Sequence, residues 1–172
     1  APITLARIDN DPGLDILAAD LTLKKIYCVD YEGNAVTGWP RQGENDFRAA
    51  PVAGDLDGDG FFEVIAVDSK VVIYAWKANG TEWIDGDNNP ATQGVFFRTA
   101  PVVSFHFQTP TVCDLDDDGR DEIIVGTASD SVWALNGNKT RVPGFPVKLN
   151  NDLAGSICAG DVDGDGRFEL LA

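Results

Sequence analysis

One pattern recurs along the chain, a loop rich in aspartate followed by a short apolar run. Three clear copies occupy residues 50–68, 109–127 and 156–172, and a weaker copy occupies residues 5–20. Aligned on the acidic residue before the apolar run, the copies are 48, 59 and 47 residues apart. A period of this size indicates a fold built from repeated units, and it constrains the fold more than any other feature of the sequence.

Each repeat has the pattern of several short strands. Apolar runs rich in β-branched residues, such as 64–67 and 123–125, follow the acidic loops and are bounded by turn residues. Second runs at 71–76 and 132–135 lead to Asn-Gly pairs, which favour tight turns between strands. The sequence shows no convincing helical period. Repeats of about 40–50 residues with four strands are typical of β-propeller blades.

We therefore predict an all-β fold made of β-propeller blades with four antiparallel strands each. The chain holds about three and a half blades, so we expect a partial propeller. The predicted repeats are 1–48, 49–107, 108–154 and 155–172, of which the last is incomplete. Open edges would expose unpaired backbone, so we expect association through these edges or with the remainder of a longer protein.

The acidic loops follow the pattern Asp-x-Asp-x-Asp-Gly-x-x-Glu in three segments that we name L2 (55–63), L3 (114–122) and L4 (161–169). Four carboxylates within nine residues repel one another, and a bound cation would relieve that repulsion. The glycine permits a sharp turn that brings the last acid towards the others. Oxygen ligands without histidine or cysteine select a hard cation, and a flexible loop of this size suits Ca²⁺ better than Mg²⁺.

The sequence thus predicts about three Ca²⁺ sites. Each site would use four carboxylates and the backbone carbonyl of the seventh loop residue, whose side chain varies between loops. The predicted metal ligands are Asp55, Asp57, Asp59, Phe61 and Glu63 in L2, Asp114, Asp116, Asp118, Arg120 and Glu122 in L3, and Asp161, Asp163, Asp165, Arg167 and Glu169 in L4.

Two other interpretations of these loops are weaker. An EF-hand needs a bidentate glutamate at position twelve, where this chain has Ala66, Val125 or Ala172. The segments on either side are also β-rich rather than helical. A single Asp-Gly cluster usually marks a solvated turn, but three copies of one five-point pattern favour metal sites.

The first copy of the loop, L1, departs from this pattern. Its residues at the five pattern positions are Arg7, Asp9, Asp11, Pro12 and Asp15. One hypothesis is that the Arg7 guanidinium neutralises Asp9 and Asp11 in place of a metal. The alternative is a frayed terminus with Arg7 in solvent.

These loops and the strands on either side of them resemble the FG-GAP/VCBS repeat family, whose best-known members are the calcium-binding β-propellers of integrin α subunits. The resemblance covers nearly the whole chain. It implies that each acidic loop joins the innermost strand of a blade to the second strand. It also implies that Ca²⁺ lies on one face of the propeller and that partners bind the opposite face. Family members include adhesion proteins, fungal lectins and the propellers of some polysaccharide lyases, so the fold does not fix the function.

The charge of the chain excludes two classes of partner. With 28 acidic and 13 basic residues, the formal net charge is −15. Nucleic acids and anionic membrane surfaces bind basic faces, so we expect neither as a partner. No apolar run approaches the roughly 18 residues of a membrane span, so we expect no membrane insertion. Residues 1–20 lack the layout of a signal peptide, and we expect any export signal to lie outside this sequence.

Candidates for catalysis are scarce. The only histidine, His106, lies between Phe105 and Phe107, a setting more typical of a packed side chain than of a catalytic one. The chain has no Gly-x-Ser-x-Gly motif, and most of its clustered acids are already assigned to metal. We therefore predict no catalytic residues.

The longest interval between repeats is the best place for ligand specificity. It has about 11 extra residues and is rich in aromatic side chains, which could bind a sugar or a protein. The speculative ligand-binding residues are Phe96, Phe97, Arg98 and His106. The favoured alternative is an elaborated outer strand whose phenylalanines pack between blades.

The three cysteines do not suggest a zinc site, because no two are close in sequence. Cys28 and Cys113 align with alanine or glycine in other repeats, which predicts small buried positions. A disulfide between Cys113 and Cys158 of adjacent blades is a weaker alternative.

Taken with the resemblance, these patterns predict a calcium-stabilised β-propeller segment of an exported protein, located outside the cell or on its surface. We expect it to act as a non-catalytic binding or adhesion module for a carbohydrate or protein ligand. Two alternatives stay open. One is the propeller part of a polysaccharide lyase or hydrolase, and the other is a purely structural spacer.

Overall fold

The computed structural model of the chain describes residues 2–9, 11–99, 108–127, 129–150 and 155–172. Those residues form fourteen β-strands in four antiparallel sheets, joined by turns and bends, and they contain no helix. Accordingly, none of the described residues belongs to a helix long and apolar enough to cross a membrane.

Within each sheet the strands follow the order of the sequence, so every strand pairs with the next one along the chain. The first sheet consists of β1 (Ile3–Ala6), β2 (Asp15–Asp20), β3 (Lys25–Val29) and β4 (Arg41–Gln42). The second consists of β5 (Val52–Gly54), β6 (Glu63–Val67), β7 (Val72–Trp76) and β8 (Val95–Arg98). The third consists of β9 (Thr111–Cys113), β10 (Glu122–Thr127), β11 (Ser131–Leu135) and β12 (Val147–Lys148), and the fourth of β13 (Cys158–Gly160) and β14 (Glu169–Leu171).

This arrangement confirms the predicted fold class. Successive four-stranded antiparallel sheets, followed by a two-stranded one, form a partial β-propeller. Each sheet lies inside one of the predicted repeat intervals. The end points of those intervals remain a prediction.

The central strands of the second sheet are buried on both faces. In β6, Val64 and Ala66 belong to a core shared with the first sheet, whereas Ile65 and Val67 belong to a core shared with the third. Because side chains alternate between the two faces of a strand, one continuous apolar run supplies both cores. In the first sheet, β2 alternates instead between buried and half-buried residues, since the second sheet covers only one of its faces.

Aromatic side chains fill the core between the first and second sheets. Trp76 stacks on Tyr74 with ring centroids 5.4 Å apart and meets Trp39 edge-on at 5.9 Å. Phe47 meets Tyr74 edge-on at 5.3 Å. Such pairs contribute about 0.5–1.5 kcal/mol each beyond the burial of their area. These aromatic pairs therefore help to fix the distance between the two sheets.

The first strands of successive sheets are neighbours, since β5 contacts β9 and β9 contacts β13. On β1, the Thr4 hydroxyl donates to the carbonyl of Pro51, just before β5, at 2.6 Å. The equivalent hydroxyl of Thr111, on β9, donates to the carbonyl of Ile157, just before β13. The first strands therefore line the inner side of the assembly. Each acidic loop joins an inner strand to a second strand, as the family resemblance implies.

Indole N–H groups connect neighbouring sheets further out. Trp39 Nε1 donates to the carbonyl of Ala78 at 2.8 Å, and Trp83 Nε1 donates to the carbonyl of Gly137 at 2.9 Å. Ala78 and Gly137 are equivalent, because each is the second residue after the third strand of its sheet. The two tryptophans come from different positions of their repeats. The accepting carbonyl is therefore at the same position in both repeats, whereas the donating tryptophan is not.

The contact at Gly137 allows a direct test of how the sheets pack. A Cβ atom at Gly137 would lie 2.1 Å from the carbonyl oxygen of Leu56, the second residue of L2. Because that oxygen belongs to the backbone, Gly137→Ala must push the two sheets apart. We expect a loss of about 3 kcal/mol in stability. Thermal unfolding followed by circular dichroism should show a melting temperature lower by roughly 6–12 °C.

Gly160→Ala is the control for this prediction. No atom lies within 4 Å of the Cβ position at Gly160, so this variant changes glycine to alanine without a clash. A similar fall in both variants, or no fall in Gly137→Ala, would contradict close packing between the second and third sheets.

Candidate metal centre

Carboxylates converge in L2, L3 and L4. Each loop brings together the acids at its first, third and ninth positions, with one carboxylate oxygen from each within 4.8 Å of the others. The three groups are Asp55, Asp57 and Glu63 in L2, Asp114, Asp116 and Glu122 in L3, and Asp161, Asp163 and Glu169 in L4. Each of these groups could hold a metal ion.

The acid at the fifth position of each loop lies outside these groups. In L2, Asp59 Oδ1 accepts the backbone N–H of Phe61 at 2.8 Å. The equivalent carboxylates of L3 and L4, Asp118 and Asp165, accept the equivalent N–H at 3.0 and 2.9 Å. The structure therefore gathers three of the four predicted carboxylates in each loop. A ligand role for the fifth-position acid and for the carbonyl of the seventh residue remains a prediction.

The first acid of each loop shapes the turn. In L2, Asp55 Oδ2 accepts the N–H of Gly60 and Asp55 Oδ1 accepts the N–H of Gly58, both at 2.8 Å. The bond to the sixth residue recurs at 2.9 Å in L3 and 3.0 Å in L4. Gly60 has a φ of 86°, in the left-handed region that favours glycine. The aspartate and the glycine of the pattern thus form the loop together.

The last acid of each loop is its most buried carboxylate. Glu63 and Glu122 are only 5% and 1% exposed, while Glu169 is half-buried. Each of the three accepts the N–H of the second loop residue, at 3.1 Å in L2, 2.8 Å in L3 and 2.9 Å in L4. Burial, reinforced by repulsion from the three aspartates of the same loop, raises the pKa of Glu63 and of Glu122 to about 7. A cation among these oxygens would offset both effects, so the donor set fits a hard metal ion.

In L1 the last acid accepts the same hydrogen bond, but the carboxylates of its described residues do not form a group of three. Asp15 is fully buried, and its Oδ2 accepts the N–H of the second loop residue at 2.7 Å. Its Oδ1 is buried with no hydrogen-bond partner among the described residues. The Arg7 guanidinium donates to the carbonyl of Pro12 at 3.4 Å. The ion pairs of the described residues do not include one from Arg7 to Asp9 or Asp11, so this geometry does not support neutralisation by Arg7.

Contacts between neighbouring loops were not predicted from the sequence. Arg120, at the seventh position of L3, donates from Nε to the carbonyl of Asp57 in L2 at 3.2 Å. Arg167, at the same position of L4, pairs with Asp117 of L3 at 3.8 Å. The seventh side chain therefore has a role beyond the one predicted for its main chain. Arginine at this position in two successive loops is the sequence signal for such contacts.

The speculative ligand-binding residues on β8 are used in packing. Phe96 is fully buried, and the ring centroid of Phe97 lies 5.7 Å from that of Trp133 in the third sheet. His106 lies outside the described residues. The contacts of Phe96 and Phe97 agree with the alternative favoured in the sequence analysis, in which the phenylalanines of an outer strand pack between blades.

Arg98, the third of these residues on β8, forms ion pairs within the chain. Its guanidinium lies 2.8 Å from a carboxylate oxygen of Glu44 and 2.9 Å from one of Asp87. The hydrogen bond from Arg98 lowers the pKa of Glu44, which keeps this pair charged near neutral pH. Arg98 thus joins the loop after β4 to the second sheet.

All three cysteines are free. Cys28 and Cys113 are buried, as predicted, and burial raises the pKa of their thiols to about 12 and about 11. Such thiols stay protonated and unreactive at neutral pH. Cys158 is exposed, and the alternative disulfide between Cys113 and Cys158 is not formed.

Fold and site together define a partial β-propeller with acidic, cation-binding-type loops in successive blades. Residues 114–172, which contain L3 and L4, match the model of the FG-GAP-like repeat family. The match covers 59 of the 172 residues and is consistent with the repeat family that the sequence resembles.

Two solved structures have a similar fold. The crystal structure of the V. cholerae biofilm matrix protein Bap1 is 18% identical over 98% of this chain, with a TM-score of 0.62. The crystal structure of BBS1N in complex with ARL6DN, soaked with lead, is 13% identical over 92% of this chain, with a TM-score of 0.61. This chain spans 23% of the first protein and 46% of the second. No curated protein sequence matches it significantly.

The raised pKa of Glu63 makes the stability of the metal-free chain depend on pH. The pKa is about 7 in the folded chain against an ordinary value of 4.5, so folding favours the protonated form. The contribution of this group to stability is full below about pH 4.5 and is lost as the pH rises through about 7.

We therefore expect Glu63→Gln to stabilise the chelator-treated chain at and above neutral pH, by roughly 1–3 kcal/mol. At about pH 4.5 the gain should be far smaller, because wild-type Glu63 is then protonated as well. Urea unfolding at the two pH values measures this difference. Glu32→Gln removes the same charge from an exposed turn and is the control. Equal effects of both variants at both pH values would count against a burial effect at Glu63.

Proposed function

We propose that this chain is a calcium-binding β-propeller segment of an extracellular or surface protein and that it acts as a non-catalytic binding or adhesion module. One observation carries the proposal. L2, L3 and L4 each gather three carboxylates at the same place in three successive sheets. A donor set repeated at one place in the fold is what structural metal sites in a repeat protein require.

Calcium is the ion that this donor set supports best. The donors are carboxylate oxygens on short loops, and Ca²⁺ binds six to eight oxygen ligands in flexible geometry. Extracellular modules bind Ca²⁺ with dissociation constants of roughly 10⁻⁴–10⁻³ M. A site filled at about 100 times its dissociation constant adds roughly 2.7 kcal/mol to stability. Three filled sites would thus stabilise the blades substantially.

Two findings support an adhesion-type role outside the cell. The segment 114–172 matches the FG-GAP-like repeat family, and the repeat family resembled by the sequence includes adhesion proteins. The fold is similar to part of a protein described as a biofilm matrix protein. Both findings favour an extracellular binding module over an intracellular one.

In this proposal the ligand, a carbohydrate or a protein, binds the face opposite L1–L4. That face carries the turns between the second and third strands of the three four-stranded sheets. In the first sheet the turn presents Leu21 and Leu23, which are 49% and 53% exposed. Apolar side chains grouped at the surface often mark contact sites for a ligand.

Metal removal tests the calcium sites. We expect the melting temperature to fall by about 10 °C or more in chelator, and to recover better with Ca²⁺ than with Mg²⁺. Calorimetric titration should count about three sites per chain. Asp57→Ala should remove one of them and leave the others able to bind, because alanine offers no ligand oxygen. Asp9→Ala changes the same position of L1 and should leave the count unchanged; a wild-type chain without measurable calcium binding would contradict the proposal.

Ligand binding is tested on immobilised polysaccharides and glycans. The chain should bind without releasing reducing ends or unsaturated products. Replacing Leu21 and Leu23 together by aspartate should weaken binding roughly tenfold or more. Tyr31→Asp is the control, since Tyr31 is 60% exposed in a turn on the same side as L1. Product release would favour the lyase or hydrolase alternative instead.

A further inference from the structure

The start of L2 and the end of L3 are joined across the boundary between the second and third sheets. The Asp55 N–H donates to Asp121 Oδ2 at 2.8 Å, and the Asp121 N–H donates to the Asp55 carbonyl at 2.8 Å. Arg120 Nε adds a third bond, to the carbonyl of Asp57, at 3.2 Å. Two successive residues of L3 therefore hold two residues of L2.

In L2 these bonds hold the backbone of residues whose side chains belong to the carboxylate group. Asp55 and Asp57 supply two of the three clustered carboxylates of L2. Asp121 directly precedes Glu122, which supplies the buried carboxylate of L3. One short segment, 120–122, thus contacts the donor set of L2 and forms part of the donor set of L3.

We propose that Asp121 is a positioning residue for the metal site of L2 and that it couples the filling of L2 to the filling of L3. The inference rests on the calcium sites proposed above. When Glu122 is held by a cation, the adjacent Asp121 is held as well. The backbone of Asp55 is then oriented in advance, so less conformational freedom remains to be lost when L2 binds its ion. By linkage, a filled L2 favours the filling of L3 by the same factor.

The boundary between L3 and L4 lacks this connection and provides an internal comparison. Phe168 occupies in L4 the position that Asp121 occupies in L3. Among the described residues, L4 forms an exposed ion pair with L3, between Arg167 and Asp117, at 3.8 Å. Exposed pairs of this kind contribute little. We therefore expect coupling between L2 and L3 but not between L3 and L4.

Calcium titrations of chains with silenced loops measure the coupling directly. The loops are silenced by Asp57→Ala in L2, Asp116→Ala in L3 and Asp163→Ala in L4, each of which removes one clustered carboxylate and leaves no ligand oxygen on that side chain. With L4 silenced, L2 and L3 should each bind calcium about fivefold or more tightly when the other loop is intact. With L2 silenced, the calcium affinity of L3 should change by less than about twofold when L4 is silenced as well, and the affinity of L4 should change as little when L3 is silenced.

Substitution of Asp121 separates positioning from charge. In a chain whose only intact loop is L2, Asp121→Ala should weaken calcium binding roughly tenfold or more. Asp121→Asn keeps an oxygen acceptor for the Asp55 N–H and should restore most of the affinity. The matched control is Phe168→Ala in a chain with only L3 intact, where the change should stay under about twofold.

The outcomes distinguish this inference from the proposed function. Unchanged affinity in Asp121→Ala would overturn the inference, while a count of about three calcium sites would leave the proposed function standing. Equal losses in Asp121→Ala and Asp121→Asn would also overturn it, because the effect would then follow the charge rather than the bond. If Asp121→Ala does not fold, the titrations with silenced loops decide, since they leave Asp121 unchanged. A wild-type chain that binds no calcium would overturn both proposals.

Discussion

The rest of the structure depends on the hydrogen bond that closes each acidic loop. The carboxylate of the last loop acid accepts the N–H of the second loop residue, and this acid is also the first residue of the second strand. L1 keeps this bond through Asp15 although it gathers no carboxylate cluster, so the bond belongs to the fold. In L2 and L3 the same acid also carries a pKa raised to about 7, and a cation would offset that burial. The same acid thus begins the second strand, closes the loop and belongs to the candidate metal site in L2 and L3.

Local pattern was sufficient to predict the strands and the carboxylate groups. The apolar run 64–67 predicts a strand, and the structure has β6 there. Its burial on both faces came from the structure alone. The spacing of acids predicts a cluster, and the structure gathers the first, third and ninth of them. The fifth acid lies outside this group and accepts the backbone N–H two residues ahead, as Asp59 does with Phe61. Spacing alone could not predict which of the four acids converge.

Contacts between repeats were beyond the reach of the sequence. An alignment places equivalent residues together, whereas contacts join residues that are not equivalent. Trp39 and Trp83 reach the same carbonyl position in the next sheet from different places in their repeats. Asp121 occupies a position that holds phenylalanine in L2 and L4, and its importance depends on the neighbouring Asp55 N–H. Only the packing of one sheet on the next identifies these partners.

Packing also decides how much each loop would gain in stability from a bound cation. The last acid is buried wherever another sheet follows, as for Asp15, Glu63 and Glu122. Glu169 is only half-buried, although the sequences of L3 and L4 follow the same pattern. Because the cost of an unpaired charge rises with its loss of solvent, L2 and L3 have more to gain from an ion than L4. A further sheet packed against β14 would bury Glu169 as Glu122 is buried. The stability that a bound metal would add therefore depends on the contact between sheets as much as on the loop that would bind it.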